Sequence, residues 1–285
     1  MSDQPRPEQV NALRRSSRHW IYRHSLPVRV CHWVNVLCMT VLLMSGLQIF
    51  NAHPALYWGE QSNFSAPVLE LAAQQSASGQ PLGITTVFGY PFATTGVLGV
   101  SRTYGQTEAR GFPAWATIPS AQWLAMGRRW HFFFAWIFVV NGGLYLLYLV
   151  ISGHLRRGLL PSRRDLREIG SSVWDHMRLR FPKGEEGYNV LQRLSYLIVL
   201  FGLVPLLILA GLAMSPRIDA GFPLLVTLFG GRQSARTVHF LCAFGLLTFT
   251  VVHLVMVVVS GVWNNVRSML TGWYAIADAG GQDAD

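Results

Sequence analysis

The chain has 285 residues, 51% of them hydrophobic and only 13% charged, where an ordinary soluble domain carries about 25% charged residues. Its formal charge is +9 and its mean hydropathy is +0.30, a balance that belongs to membrane proteins. The basic residues flank apolar runs instead of forming a stripe, which argues against a nucleic-acid partner. The three cysteines, Cys31, Cys38 and Cys242, lack both metal-type spacing and the number that a secreted disulfide framework needs.

Residues 1–29 form a basic segment with six arginines. No small-residue cleavage site follows an early apolar region, so no removable signal peptide is expected. Crossing a bilayer takes about 20 apolar residues. The first uncharged run of that length covers residues 30–50. A long loop follows, residues 51–130. Its stretch "PLGITTVFGYPFATTGVLGVS" (81–101) is uncharged but rich in Gly, Thr and Pro, which are poor helix formers. The loop's many aromatics, from Tyr57 and Trp58 to Trp115 and Trp123, indicate a folded cap. The second span is 131–153, and the basic loop after it carries nine Arg and Lys residues. The third span is 194–214, and Pro205 in its middle predicts a kink. The fourth is 237–262. Its uncharged run continues to Val266, longer than a bilayer needs, so its last turns project or the helix tilts. Residues 269–285 read as a polar tail behind a membrane domain of residues 30–268.

Charge fixes the orientation. With four spans, sixteen Arg and Lys residues fall on the side of the termini and seven on the other, which makes the first side cytoplasmic. A fifth span at 81–101 would put the nine-residue basic loop outside, and it is rejected. The expected fold is an all-α integral membrane protein: a four-helix transmembrane bundle with both termini cytoplasmic and a long first periplasmic loop.

Four of the nine histidines lie in or at the edges of the spans. His32 opens span one at the cytoplasmic level, and His131 opens span two at the outer level. His239 and His253 share span four. Fourteen residues rise about 21 Å and turn roughly 1400°, about 40° short of four full turns, so these two imidazoles share a face in opposite leaflets. Depth therefore matches His131 with His239 and His32 with His253. Ionisable groups in a span are rare and usually functional. Hydrogen-bonded core imidazoles are the bland alternative. A proton relay generally adds carboxylates, which these spans lack, and two histidines alone under-coordinate zinc. Two neutral imidazoles on facing helices suit the axial positions of a haem iron.

A macrocycle between helices needs small residues beside it. Gly46 lies fourteen residues after His32, and Gly142 eleven after His131; close helix packing would also account for either. Propionates need cations, and Arg29, Arg128 and Arg236 each precede a candidate ligand by three residues, although arginines flank spans in any case. His53 and His154 read as interface residues, with His53 available to an outer contact or a quinone pocket.

The motifs "RVCHW", "MSGL", "RRWHF" and "RTVHF…VVHL" resemble the bacterial di-haem cytochrome b family (cytochrome b561-like), which includes the membrane subunits of nickel–iron hydrogenases, formate dehydrogenases and thiosulfate reductase-like enzymes. The similarity covers most of 22–55, 125–155 and 190–268. It implies two b haems, an outer one on His131 and His239 and an inner one on His32 and His253. It also implies a multi-pass protein of the bacterial inner membrane that carries electrons between the quinone pool and a periplasmic redox subunit. The "IFNAHPALYWG" stretch and the long loop resemble members serving molybdopterin oxidoreductases. A quinone site near the inner haem, which the resemblance implies, would involve Arg29, Trp33 and the end of span four. An electron-transfer subunit is the leading expectation. The alternative is a self-contained membrane di-haem oxidoreductase, such as a superoxide:quinone oxidoreductase, with Arg102, Arg110, Arg128 and Arg129 as a basic outer funnel. A haem-free transporter is disfavoured, because no span carries a carboxylate.

Overall fold

The computed structural model describes residues 18–153, 155 and 190–277. Four of its helices are long and apolar enough to cross a membrane: Leu26–Phe50, Leu124–Ile151, Arg193–Ala213 and Arg232–Val259. The second carries a stripe of exposed apolar side chains, Phe133, Trp136, Val140, Leu144 and Leu147. An apolar face left uncovered at this length is suited to lipid.

In chain order, β1 (Arg18–Tyr22) leads into α1 (Leu26–Phe50). The next segment corrects the all-α expectation. It contains β2 (Ala55–Leu56), β3 (Leu69–Gln75), β4 (Pro81–Val87) and β5 (Tyr90–Ala93), hydrogen-bonded in that order as an antiparallel sheet. A hairpin of β6 (Val100–Thr103) and β7 (Gln106–Ala109) follows. The β4–β5 and β6–β7 hairpins turn at Phe88-Gly89 and Tyr104-Gly105. All four of these residues have positive φ, between 48° and 83°. Two left-handed residues in a row make the turn whose twist matches that of paired strands. The uncharged 81–101 stretch is therefore strand and turn, as its poor helix propensity requires.

The cap stands on the helices through a shared core of Phe50, Leu56, Leu71 and Phe112, packed against Phe240 and Phe244. Arg110 locks its base. The side chain is 1% exposed. It donates to Ser120 O at 2.8 Å, Thr117 Oγ1 at 3.0 Å and Gln48 Oε1 at 3.3 Å, and lies 3.4 Å from Glu108 Oε2. Arg110 is thus a structural cation, and its place in a basic outer funnel is corrected. The segment 53–60 is laced over the start of the fourth long helix. Gly59 O accepts from the amides of Gln233 and Ser234, and Ser234 Oγ accepts from Gly59 N at 2.7 Å. Thr237 Oγ1 donates to Tyr57 O at 2.7 Å, and Arg236 donates to His53 O. These bonds satisfy amides that a helix start otherwise leaves open.

The second long helix, α2 (Leu124–Ile151), begins seven residues before His131, so the loop after α1 ends near Trp123 and Arg128 is helical. The third span is built from α3 (Val190–Ile198), a π turn over Val199–Leu203, and α4 (Val204–Ala213). A kink is expected at Pro205; what the helix shows just before it is this π turn. Proline has no amide to donate and its ring crowds the preceding turn, and a widened turn there relieves both. Two short helices, α5 (Pro216–Gly221) and α6 (Pro223–Leu228), precede α7 (Arg232–Val259). The fourth apolar run does not continue straight to Val266. It breaks at Gly261, whose φ of 105° suits only glycine, and resumes as α8 (Val262–Thr271).

The polar tail expected at 269–285 is corrected over its first nine residues. They complete α8 and form β8 (Trp273–Ala277), antiparallel to β1. Asn264 Nδ2 donates to Ala275 O at 2.7 Å, and Asn264 Oδ1 accepts from Ala275 N at 3.0 Å, so one side chain stands in for a missing strand neighbour. By contact the chain divides into two units, residues 1–33 with 250–285, and residues 34–249.

Candidate functional site: two histidine pairs

Each depth-matched pair meets, and each falls inside one unit. In residues 34–249, the rings of His131 and His239 have centroids 6.2 Å apart with their planes at 67°. In the other unit, His32 and His253 are 6.4 Å apart, also at 67°. A ligand nitrogen sits about 2 Å from its metal and roughly 1.1 Å from the ring centre, so two imidazoles on opposite sides of one metal have centroids about 6 Å apart. Both separations fit a two-histidine iron. Among the described residues, no group of three or more His, Cys, Asp or Glu is placed to hold a metal ion.

The His131–His239 pair is oriented from behind. His131 Nδ1 lies 3.1 Å from Leu42 O and 3.1 Å from Ser45 Oγ. His239 Nδ1 lies 2.9 Å from Leu207 O. A carbonyl only accepts, so both Nδ1 atoms carry the proton and both Nε2 lone pairs remain for a metal. A Cβ added to Gly46 would sit 3.3 Å from the His131 ring, and one added to Gly211 3.1 Å from the His239 ring. Gly46 therefore makes room for an imidazole, where the sequence suggested room for a macrocycle. A Cβ on Gly142 or Gly143 would meet nothing within 4 Å among the described residues.

The arginines differ. Arg128 is exposed and lies over the Phe132 ring at 5.6 Å. Arg236 donates to His53 O and lies over Phe50 at 5.4 Å. Arg29 stands in the first turn of α1 and its Nε is buried without a partner among the described residues. Trp33 Nε1 donates to Met269 O at 3.1 Å, tying the residue beside His32 to α8. His53 packs its ring on Tyr57 and Phe64 at 5.6 and 5.9 Å, and its buried Nε2 has no partner among the described residues. Burial, then Arg236, pushes its basicity down, against an opposing pull from Glu70. Tyr57 is pushed up, by burial and then by Glu70. His24 is pushed down to about 4, chiefly by burial and then by Arg23, His32 and Arg29. His154 lies outside the described residues.

Sequence reasoning missed Leu42, Ser45, Leu207 and Gly211. Two of these act through backbone carbonyls, which leave no trace in sequence. Ser45-Gly46 in "MSGL" and Gly211 in "LAGLAM" are small residues within apolar runs, and that was the available signal.

The model of one protein family, described as prokaryotic cytochrome b561, matches residues 23–272. The chain is also 27% identical over 231 residues, 81% of this chain and 87% of the relative, to the "Putative protein-methionine-sulfoxide reductase subunit YedZ1" of Azospira oryzae. No solved structure matches it. The family match runs from the turn before α1 to the end of α8 and takes in all four paired histidines, and the chain belongs to the prokaryotic cytochrome b561 family of membrane haem b proteins.

Proposed function

We propose that this chain is a di-haem electron-transfer subunit of the bacterial inner membrane. It would pass electrons between the quinone pool and a periplasmic oxidoreductase, possessing no substrate chemistry of its own. The reading rests above all on two histidine pairs, each at a separation that one iron can bridge. His131 and His239 would hold the outer haem, and His32 and His253 the inner one. Iron in such a site supplies one-electron exchange. His239 and His253 both belong to α7, and by the helix arithmetic of the sequence their fourteen-residue spacing would correspond to about 21 Å of rise. One helix thus serves both sites, in a four-helix bundle with both termini cytoplasmic.

The surrounding residues take roles in the same scheme. Arg29, Arg128 and Arg236 would neutralise propionates, and Gly142 would leave space beside a macrocycle. Arg29 and Trp33 would border the quinone, with His53 and His154 as outlying contacts. The membrane domain would cover about residues 30–268, with the β-rich cap facing the periplasmic partner. The description of the relative as a reductase subunit supports such a partner and gives it a concrete form, a protein-methionine-sulfoxide reductase; the sequence resemblance adds that it would be molybdopterin-dependent. A stand-alone superoxide:quinone oxidoreductase is less well supported, because Arg110, one of its four funnel cations, is spent inside the cap.

Adding a ubiquinol or menaquinol analogue to the oxidised, anaerobic protein tests the electron-carrier reading. Appearance of the reduced b-type absorption band supports it, and a band that only dithionite can produce contradicts the quinone link.

A further inference from the structure

The two imidazoles of the His131–His239 pair are seated in the same way on two different helices. On α1, the Leu42 carbonyl accepts from His131 Nδ1, and Gly46, one turn later, leaves room for the ring. On α4, the Leu207 carbonyl accepts from His239 Nδ1, and Gly211, again four residues later, leaves room for that ring. Residues four apart lie on one helix face. A carbonyl followed one turn later by glycine therefore forms a notch that admits a flat ring edge-on to the backbone. A Cβ at either glycine would crowd the ring, which would have to give by a few tenths of an ångström against its acceptor.

The seats differ in one respect. Ser45 Oγ donates to Val41 O at 2.6 Å, which turns its lone pairs towards His131 Nδ1, 3.1 Å away. Ser45 is wholly buried. The His131 proton is thus shared between two acceptors, while for His239 Nδ1 the described residues give one, Leu207 O. Acceptors behind a metal-bound imidazole raise its basicity and favour the oxidised metal.

We infer that Leu42–Gly46 and Leu207–Gly211 are matched seats that fix the tautomer and aim of both outer ligands, and that Ser45 sets the potential of the outer haem through His131. Ser45, Gly46 and Gly211 are positioning residues in this account, which rests on reading His131 and His239 as axial ligands.

Potentiometric titration and low-temperature electron paramagnetic resonance of purified, haem-loaded protein test it. Ser45→Ala keeps both haems, raises the midpoint of one and leaves the other unchanged. Gly211→Ala and Gly46→Ala alter or remove the low-spin signal of one haem and spare the second. Unchanged midpoints in Ser45→Ala, with wild-type signals in both glycine variants, would overturn the inference. His131→Ala separates the two levels. If it retains both haems, the ligand reading itself fails. If it loses one haem while the seat variants behave as wild type, only the seats are refuted.

Discussion

Arg110 illustrates how far a charge's role depends on where the chain folds around it. In sequence it was one of several outer arginines; in the fold it is enclosed and its guanidinium donates to Ser120, Thr117 and Gln48. Arg110→Ala would leave the buried acceptors on Thr117 and Gln48 without their guanidinium donor, at a cost on the order of 3 kcal/mol. Thermal unfolding in detergent, followed by proteolysis within the cap, should show a lower midpoint, partly recovered in Arg110→Lys; an unmoved midpoint would contradict the lock. His24 makes a pH prediction. Its folded value is pushed down to about 4 from an ordinary 6.5, so the unfolded chain takes up a proton first. Its contribution to stability is complete above pH 6.5 and drains away as pH falls towards 4. Melting curves should lose stability over that window, less steeply in His24→Asn. The paired histidines were legible because ionisable groups in an apolar run stand out and helix arithmetic assigns their depth. Their backbone acceptors were not, since any residue supplies a carbonyl.

Among elements, the segment 53–60 and the start of α7 depend on each other. Ser234→Ala removes the acceptor for the Gly59 amide, worth about 1 kcal/mol. Hydrogen exchange at Gly59 should accelerate while amides in the middle of α7 keep their protection; equal rates in both proteins would count against the lacing. The spans were readable from charge-free length, but their starts were not. Arg128, Arg129, Arg232 and Arg236 lie inside helices because arginine is a good helix former whose long stem reaches the interface. The strands were hidden for other reasons. The hairpin turns place Phe88 and Tyr104 where Asn is usual. The β1–β8 pairing joins the two ends of the chain, and no local pattern announces it.

At the scale of the whole molecule, the proposed topology would place the cap in the periplasm and both termini in the cytoplasm. Tyr104 is 93% exposed at a hairpin tip. A Tyr104→Cys protein should react with an impermeant maleimide in intact spheroplasts, and an Ile276→Cys protein only after permeabilisation; the reverse pattern would invert the topology. The central claim is that one chain holds two haems on two histidine pairs. Its most direct test is the haem-to-protein ratio of the purified wild type and of His32→Ala, His131→Ala, His239→Ala and His253→Ala, by pyridine haemochrome absorbance. The account predicts two b haems per chain and one in each variant, with His32→Ala and His253→Ala retaining the same haem spectrum and His131→Ala and His239→Ala retaining the other. A single haem in the wild type, or any of the four variants keeping both, would contradict it.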